Sequence, residues 1–244
     1  MLSVQNVSAG YGKLHILSNV SIAAAEKQVT VIVGPNGSGK STLLKTIAGL
    51  TTIYDGAVFL GADKISGLPA HEIVKRGLAY LPQTESVFTQ LTVTENFKMA
   101  GYTVSKEEFD SRLKGGLDMF PQLSKYLNSK VQNLSGGERQ MVAMTMALIR
   151  KPNVIMLDEP TANLSPKLAT EVLRKVVGLA RELGMAVLLV EQNAKKALEI
   201  GDRAYLLVGG KNVFEGTTKE LLEHQELSRM YLGLKTSAEP QKSV

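Results

Sequence analysis

Nine residues, Gly34-Pro35-Asn36-Gly37-Ser38-Gly39-Lys40-Ser41-Thr42, stand between an apolar β-branched run at 29–33 and a helical pattern of Leu43, Leu44, Ile47 and Leu50. No other stretch limits the fold so strongly. The spacing fits G-x-x-x-x-G-K-[ST], and the strand before and helix after are the context that pattern requires. Glycines allow backbone angles that turn several N–H groups inward, and a helix N-terminus adds positive potential. The stretch therefore predicts a strand, a phosphate-holding loop and a helix in succession. Lys40 would reach the β- and γ-phosphates, and the Ser41 hydroxyl would ligate Mg²⁺. A glycine-rich turn with no ligand is the plain alternative. By average composition the bare pattern arises in about one chain in a hundred of this length, and the strand-helix context removes most of those.

The rest of the chain supplies a sheet for that loop. Strand patterns at 154–157, 186–190 and 204–208 alternate with helical patterns at 166–183 and 194–200, which implies βαβ crossovers and a largely parallel sheet. Ahead of them, short β-branched segments at 2–7, 20–22, 57–60 and 78–81 predict a β-containing front. Between 92 and 150 the texture is helical. Thr92 with Glu95, Ser105 with Glu108, and Ser135 with Glu138 have capping-box spacing, and Gly115-Gly116 and Pro121 punctuate the stretch. The expectation is an α/β core closing around a β front and an inserted helical lobe, with a polar, frayed tail.

Composition narrows the function classes. Apolar runs such as Met185-Ala186-Val187-Leu188-Leu189-Val190 reach strand length but fall far short of the ~20 residues of a membrane-spanning helix. The first residues have no basic stretch followed by an apolar one, so no secretory signal is expected. With no cysteine, disulfides and thiolate metal sites are excluded. A net charge of +5 suits phosphate ligands or an anionic membrane surface, and equally nothing special. No dense Lys/Arg block exists, so no nucleic-acid partner is expected.

A second motif lies at the end of an apolar strand, Val154-Ile155-Met156-Leu157-Asp158-Glu159. At a strand's C-terminal edge Asp158 can reach a metal beside the phosphate loop. Glu159, at the strand's end, can approach the γ-phosphate and polarise the attacking water as general base. Strands ending in Asp-Glu are common, and only the phosphate loop gives this one its meaning.

Between the two motifs stands Leu134-Ser135-Gly136-Gly137-Glu138-Arg139-Gln140. It is a capped helix start by spacing, and it also resembles the signature motif of the ABC (ATP-binding cassette) ATPases, in the chain order that family requires. The resemblance runs from about residue 2 to 233. It implies an α/β fold: a P-loop NTPase core with a mostly parallel sheet, an antiparallel β subdomain and an inserted helical subdomain. The cassette would occupy 1–235, with the helical subdomain at roughly 86–150 and a polar tail at 236–244. Ser135, Gly136, Gly137 and Glu138 would bind ATP held by the opposite subunit. Tyr11, otherwise an ordinary turn tyrosine, resembles the aromatic residue that stacks on adenine. Gln83 resembles the glutamine that touches Mg²⁺ and links the core to the helical lobe. Asn163-Leu164-Ser165-Pro166 matches the loop that crosses to the partner, although many relatives carry Asp at Ser165, and Ser165-Pro166 is also a plain helix start. The clearest departure is Gln192, where most relatives have a histidine that contacts the γ-phosphate. Glutamine donates a neutral hydrogen bond but does not titrate.

Glu191-Gln192-Asn193, the stretch from Val87-Phe88 to Asn96, and Tyr231-Leu232-Gly233 are similar to the ATPases of branched-chain amino acid importers. That subfamily often has Glu at Gln83, and urea or amide importers and lipopolysaccharide-export ATPases share much of the pattern. The resemblance implies ATP and Mg²⁺ as ligands and a second ABC subunit, the same or a paralogous chain. It also implies an integral membrane permease docked near 83–96 with Phe88 as an apolar contact, and a place on the cytoplasmic face of the membrane. A solute-binding protein would act only indirectly. Rival classes are a soluble ABC ATPase working on ribosomes, DNA or iron–sulfur assembly, and a nucleotide-gated switch with negligible turnover.

Overall fold

The computed structural model describes residues 1–84, 86–162 and 164–233. Asn163 and the tail expected at 236–244 lie outside the described residues. The front is a long hairpin of β1 (Leu2–Tyr11) and β2 (Leu14–Ala24), longer than the segments at 2–7 and 20–22 suggest. Asn6 and Asn19 take left-handed φ of 50° and 53°, and the pairing slips beside them, so strict alternation is broken within single strands. After β3 (Val29–Val33) the phosphate loop leads into α1 (Lys40–Ile47). Leu50 falls beyond this helix, past Gly49 at φ 74°, and is exposed. Next come β4 (Thr52–Leu60), β5 (Asp63–Lys64), the short α2 (Ala70–Lys75) and β6 (Leu78–Leu81).

A helical lobe follows: α3 (Val93–Ala100), α4 (Lys106–Met119) and α5 (Gly136–Ile149), with 3₁₀ turns at Pro121–Tyr126 and Val131–Asn133. Thr92 and Ser135 form complete capping boxes. Ser105 does not, although it accepts from the Glu108 amide, because Arg112 one turn on draws the Glu108 carboxylate to 2.7 Å. The chain then alternates through β7 (Val154–Asp158), α6 (Pro166–Arg181), β8 (Ala186–Val190), α7 (Ala194–Ile200) and β9 (Arg203–Val208). It closes with β10 (Lys211–Thr217), α8 (Thr218–Glu223) and α9 (Gln225–Leu232).

Among the described residues the strands make two sheets. One is antiparallel, β2-β1-β4-β5; the other runs β10-β9-β3-β8-β7-β6, parallel except for β10. Alternate side chains of the parallel strands feed two cores. Val31, Val33, Ile155, Leu157, Val187 and Leu189 face one side with α5 to α7. Ile32, Met156, Leu188 and Val190 face the other, with α1 and the antiparallel sheet. Burial on both faces explains why these strands read as continuous apolar runs. The helical lobe lies in the connection between neighbouring parallel strands β6 and β7, so its two ends meet the same edge of the sheet.

Candidate functional site

Parallel pairing aligns strand ends. Ile32 lies opposite Val190, Val190 opposite Asp158, and Leu81 opposite Leu157. Residues that follow β3, β6, β7 and β8 therefore emerge on one edge, the place where open α/β sheets bind ligands. That edge holds a cleft of about 520 Å³, lined by Asn36, Gly37, Gly39, Lys40, Ser41, Thr42, Gln83, Glu159 and Gln192, with Ile16 of β2 at its side.

The loop floor is shaped to leave donors free. Gly39 takes φ 100° immediately before α1, a conformation that side chains with a Cβ rarely adopt. At Gly34 a Cβ would come within 2.0 Å of the Leu207 carbonyl oxygen. No side chain caps α1, and its first turn carries no acidic residue, so its leading amides keep their positive potential. The Ser38 hydroxyl, 3% exposed, has no hydrogen-bond partner among the described residues. A buried hydroxyl without a partner is costly unless something else satisfies it, and Ser38 stands between Gly37 and Gly39 of the cleft lining. The Lys40 ammonium, also buried, rests on the carbonyls of Gly34 and Pro35 at 2.9 and 3.0 Å. Burial lowers its pKa, and the nearby Glu159 and Asp158 carboxylates oppose that shift.

The acidic side is equally ordered. The Ser41 hydroxyl donates to Asp158 Oδ1 at 3.0 Å, and Tyr80 donates to Asp158 Oδ2 at 3.2 Å. Burial raises the Asp158 pKa, with the Ser41 and Tyr80 bonds pulling against it. The Tyr80 phenol is pushed well above its ordinary value, by burial first and by the Asp158 charge second. Gln83 Nε2 donates to Glu159 Oε2 at 2.9 Å. Glu159 has φ 50°, a left-handed conformation that costs a non-glycine residue about 1–3 kcal/mol and persists where its surroundings over-determine it.

Other sequence-predicted residues lie outside this cleft. Tyr11 ends β1 opposite Leu14 and is 43% exposed. Its turn is braced by Tyr54, whose hydroxyl donates to Gly12 and Leu14 carbonyls at 2.9 and 3.3 Å. Ser135 and Glu138 bond each other at the start of α5, while Gly136 and Gly137 pack beside Leu164 and Leu168 of the following segment. Ser165 caps α6, with Pro166 in its first turn. Tyr80 and Ile16 join the site without having been singled out from the sequence, and Glu191, noted there only as part of Glu191-Gln192-Asn193, had been given no role. Glu191 is buried just beyond β8, and burial raises its carboxyl pKa.

The sequence pattern of the ABC transporter family matches residues 17–162. The chain is 52% identical to the probable branched-chain amino acid transport ATP-binding protein LivF of Archaeoglobus fulgidus, over 96% of this chain and 99% of that one. It is 37% identical to the high-affinity branched-chain amino acid transport ATP-binding protein BraG of Pseudomonas aeruginosa, over 96% and 100% of the two chains. Among solved structures, a dimeric ATP-binding cassette in a post-hydrolysis state, bound to ADP and Pi, superposes with a TM-score of 0.77 at 29% identity. That superposition covers 89% of this chain and 99% of the other.

Proposed function

The chain belongs to the ABC transporter family and is an ATP-binding, ATP-hydrolysing subunit, and from that premise we propose that its transporter imports branched-chain or other hydrophobic amino acids. Two relatives described by that solute class, each aligned over 96% of this chain, support the solute. The catalytic reading is carried by one observation: Lys40, Glu159 and Gln192 converge on one cleft at the N-terminus of α1, which no side chain caps.

In this reading residues 1–235 form one cassette with the helical lobe of 86–150 inserted, and each residue has a task. The loop amides and Lys40 hold the β- and γ-phosphates of ATP and stabilise charge that develops on transfer. Glu159, fixed by Gln83, accepts a proton from the attacking water. Gln192 donates a neutral hydrogen bond to the γ-phosphate. The Ser41 hydroxyl and the Asp158 carboxylate, with the Gln83 amide, are oxygen donors that fit Mg²⁺. When bound, that ion neutralises charge on the phosphate oxygens. Tyr11 stacks on adenine. Ser135, Gly136, Gly137 and Glu138 of a second copy, or of a paralogous chain, close over the triphosphate. Binding then favours the closed pair, and loss of the γ-phosphate releases it.

Among the described residues no helix is long and apolar enough to cross a membrane. The proposed place is peripheral, on the cytoplasmic face, against an integral membrane permease. Phe88 suits that contact, being 52% exposed while its backbone is clamped on both sides by buried Asn96 at 2.8 and 2.9 Å. The decisive test is ATP-driven uptake of radiolabelled leucine by vesicles carrying the chain with its co-purified permease. Uptake that competes with valine, isoleucine and phenylalanine, and vanishes in E159Q, is the expected result. Indifference to these solutes removes the solute assignment, and full ATPase activity in E159Q removes the role of Glu159.

A further inference from the structure

Glu191 is a second buried carboxylate at this edge, 3% exposed, and none of the roles above uses it. Its Oε1 accepts from the main-chain N–H of Thr161 at 3.0 Å. Thr161 lies two residues beyond Glu159, in the turn that Ala162 N closes onto the Glu159 carbonyl at 3.0 Å. The Glu159 N–H in turn donates to the carbonyl of Val190 at 2.9 Å. Two consecutive residues at the end of β8 thus grip the turn at both ends, Val190 at residue 159 and Glu191 at residue 161. The gripped segment contains Glu159 at φ 50°, which ordinary backbone preference would not hold there. The same pair of residues precedes Gln192, so the grip also sets Glu159 and Gln192 relative to each other.

We propose that Glu191 is a positioning residue for hydrolysis: its buried carboxylate latches Thr161 and keeps Glu159 in the left-handed conformation that turns its carboxylate into the cleft. Without the acceptor, the turn keeps only its Val190 anchor and relaxes toward common φ values. The carboxylate of Glu159 then drifts from Gln83. A displacement of that kind slows chemistry and leaves the phosphate loop, and therefore ATP affinity, untouched.

The inference rests on Glu159 as the base, so E159Q is measured alongside. Glu191→Gln retains an acceptor for the Thr161 N–H; Glu191→Met retains bulk without one. With ATP, kcat of E191M is expected to fall on the order of tenfold or more while nucleotide Kd stays within about threefold. E191Q is expected to stay within about threefold of the parent chain in both. Adding E191M to E159Q should slow it no further, because the latch acts through Glu159. Glu191→Asp withdraws the acceptor by one methylene, keeps the charge, and gives the same answer if E191M does not fold. An E159Q chain with full activity removes the underlying reading. With E159Q slowed to a measurable residual rate, three results overturn the latch alone: parental kcat in E191M or E191D, equal losses in kcat and affinity, or a full additive loss from that residual rate in the double variant.

Discussion

Two helix N-termini are proposed to meet the same triphosphate, and they are built in opposite ways. The α1 terminus begins at Gly39 without a side-chain cap, has no acidic residue in its first turn, and lies behind a Ser38 hydroxyl unpartnered among the described residues. The α5 terminus begins at Ser135 inside a complete capping box, with Ser135 N and Oγ both donating to Glu138 at 2.8 Å. The first leaves its donors available to an anion and is stabilised by receiving one. The second satisfies itself and is stable without a ligand. In the proposed reading the phosphate loop therefore binds on a single chain, whereas the signature turn exchanges part of its own cap for a neighbour's nucleotide. Affinity should reside in the first and turnover in the pairing of both.

Removing Lys40 strikes the single-chain half and carries the largest expected effect. K40A should lower kcat/KM on the order of 10³-fold, read from phosphate release, and weaken ATP binding by the isolated chain. S135A strikes the other half. It should leave the isolated chain's ATP affinity within about threefold and lower hydrolysis roughly 10- to 100-fold, with a loss of about 1 kcal/mol in urea stability from the missing cap. Hydrolysis per chain should also rise with protein concentration. If S135A weakened binding by the isolated chain as much as K40A does, the division between the two termini would fail.

What could be read in advance follows the same division between local and distant. The phosphate loop is nine contiguous residues, and Asp158 and Glu159 end one apolar run, so their place needs only the strand-loop-helix pattern. Tyr80 and Glu191 were not legible as partners. They meet Asp158 and Thr161 across 78 and 30 residues, through strand order that no local spacing contains. The end of the chain was also unread, since β10 alternates half-buried and exposed residues and α8 is only six residues long. The Thr217 and Glu220 capping box of α8 was a signal available and not used. At Ser105 the spacing overpromised, because Arg112 competes for the same carboxylate.

A smaller effect tests the cleft's chemistry at Gln192, which belongs to neither terminus. Q192A should lower kcat about tenfold with little change in ATP affinity, since one neutral donor to the reacting phosphate is lost. None of the three histidines lines the cleft: His15 stacks on Tyr54, His71 lies beside Glu72, and His224 caps α9. The rate profile of the parent chain should accordingly lack an imidazole step near pH 6.5. A step there that survives replacement of all three histidines would contradict this reading.

The smallest expected effect separates the two termini by charge alone. Burial acts to raise the Glu138 pKa, but bonds from Tyr126 and Ser135 together outweigh it, and the net shift is downward. A carboxylate whose folded pKa is depressed stabilises the fold above its unfolded pKa and loses that contribution as pH falls through the folded value. The α5 cap should thus weaken in acid, below about pH 4.3, whereas α1 has no carboxylate in its first turn to titrate. Solvent screening at this partly exposed position keeps the difference under about 1 kcal/mol. Urea unfolding of the parent chain and of E138Q at pH 7 and pH 3 measures it. The parent should be the more stable at neutral pH and lose that advantage in acid. An advantage that persists unchanged at pH 3 would mean the cap owes nothing to the charge, and the two termini would differ only in the bonds their side chains make.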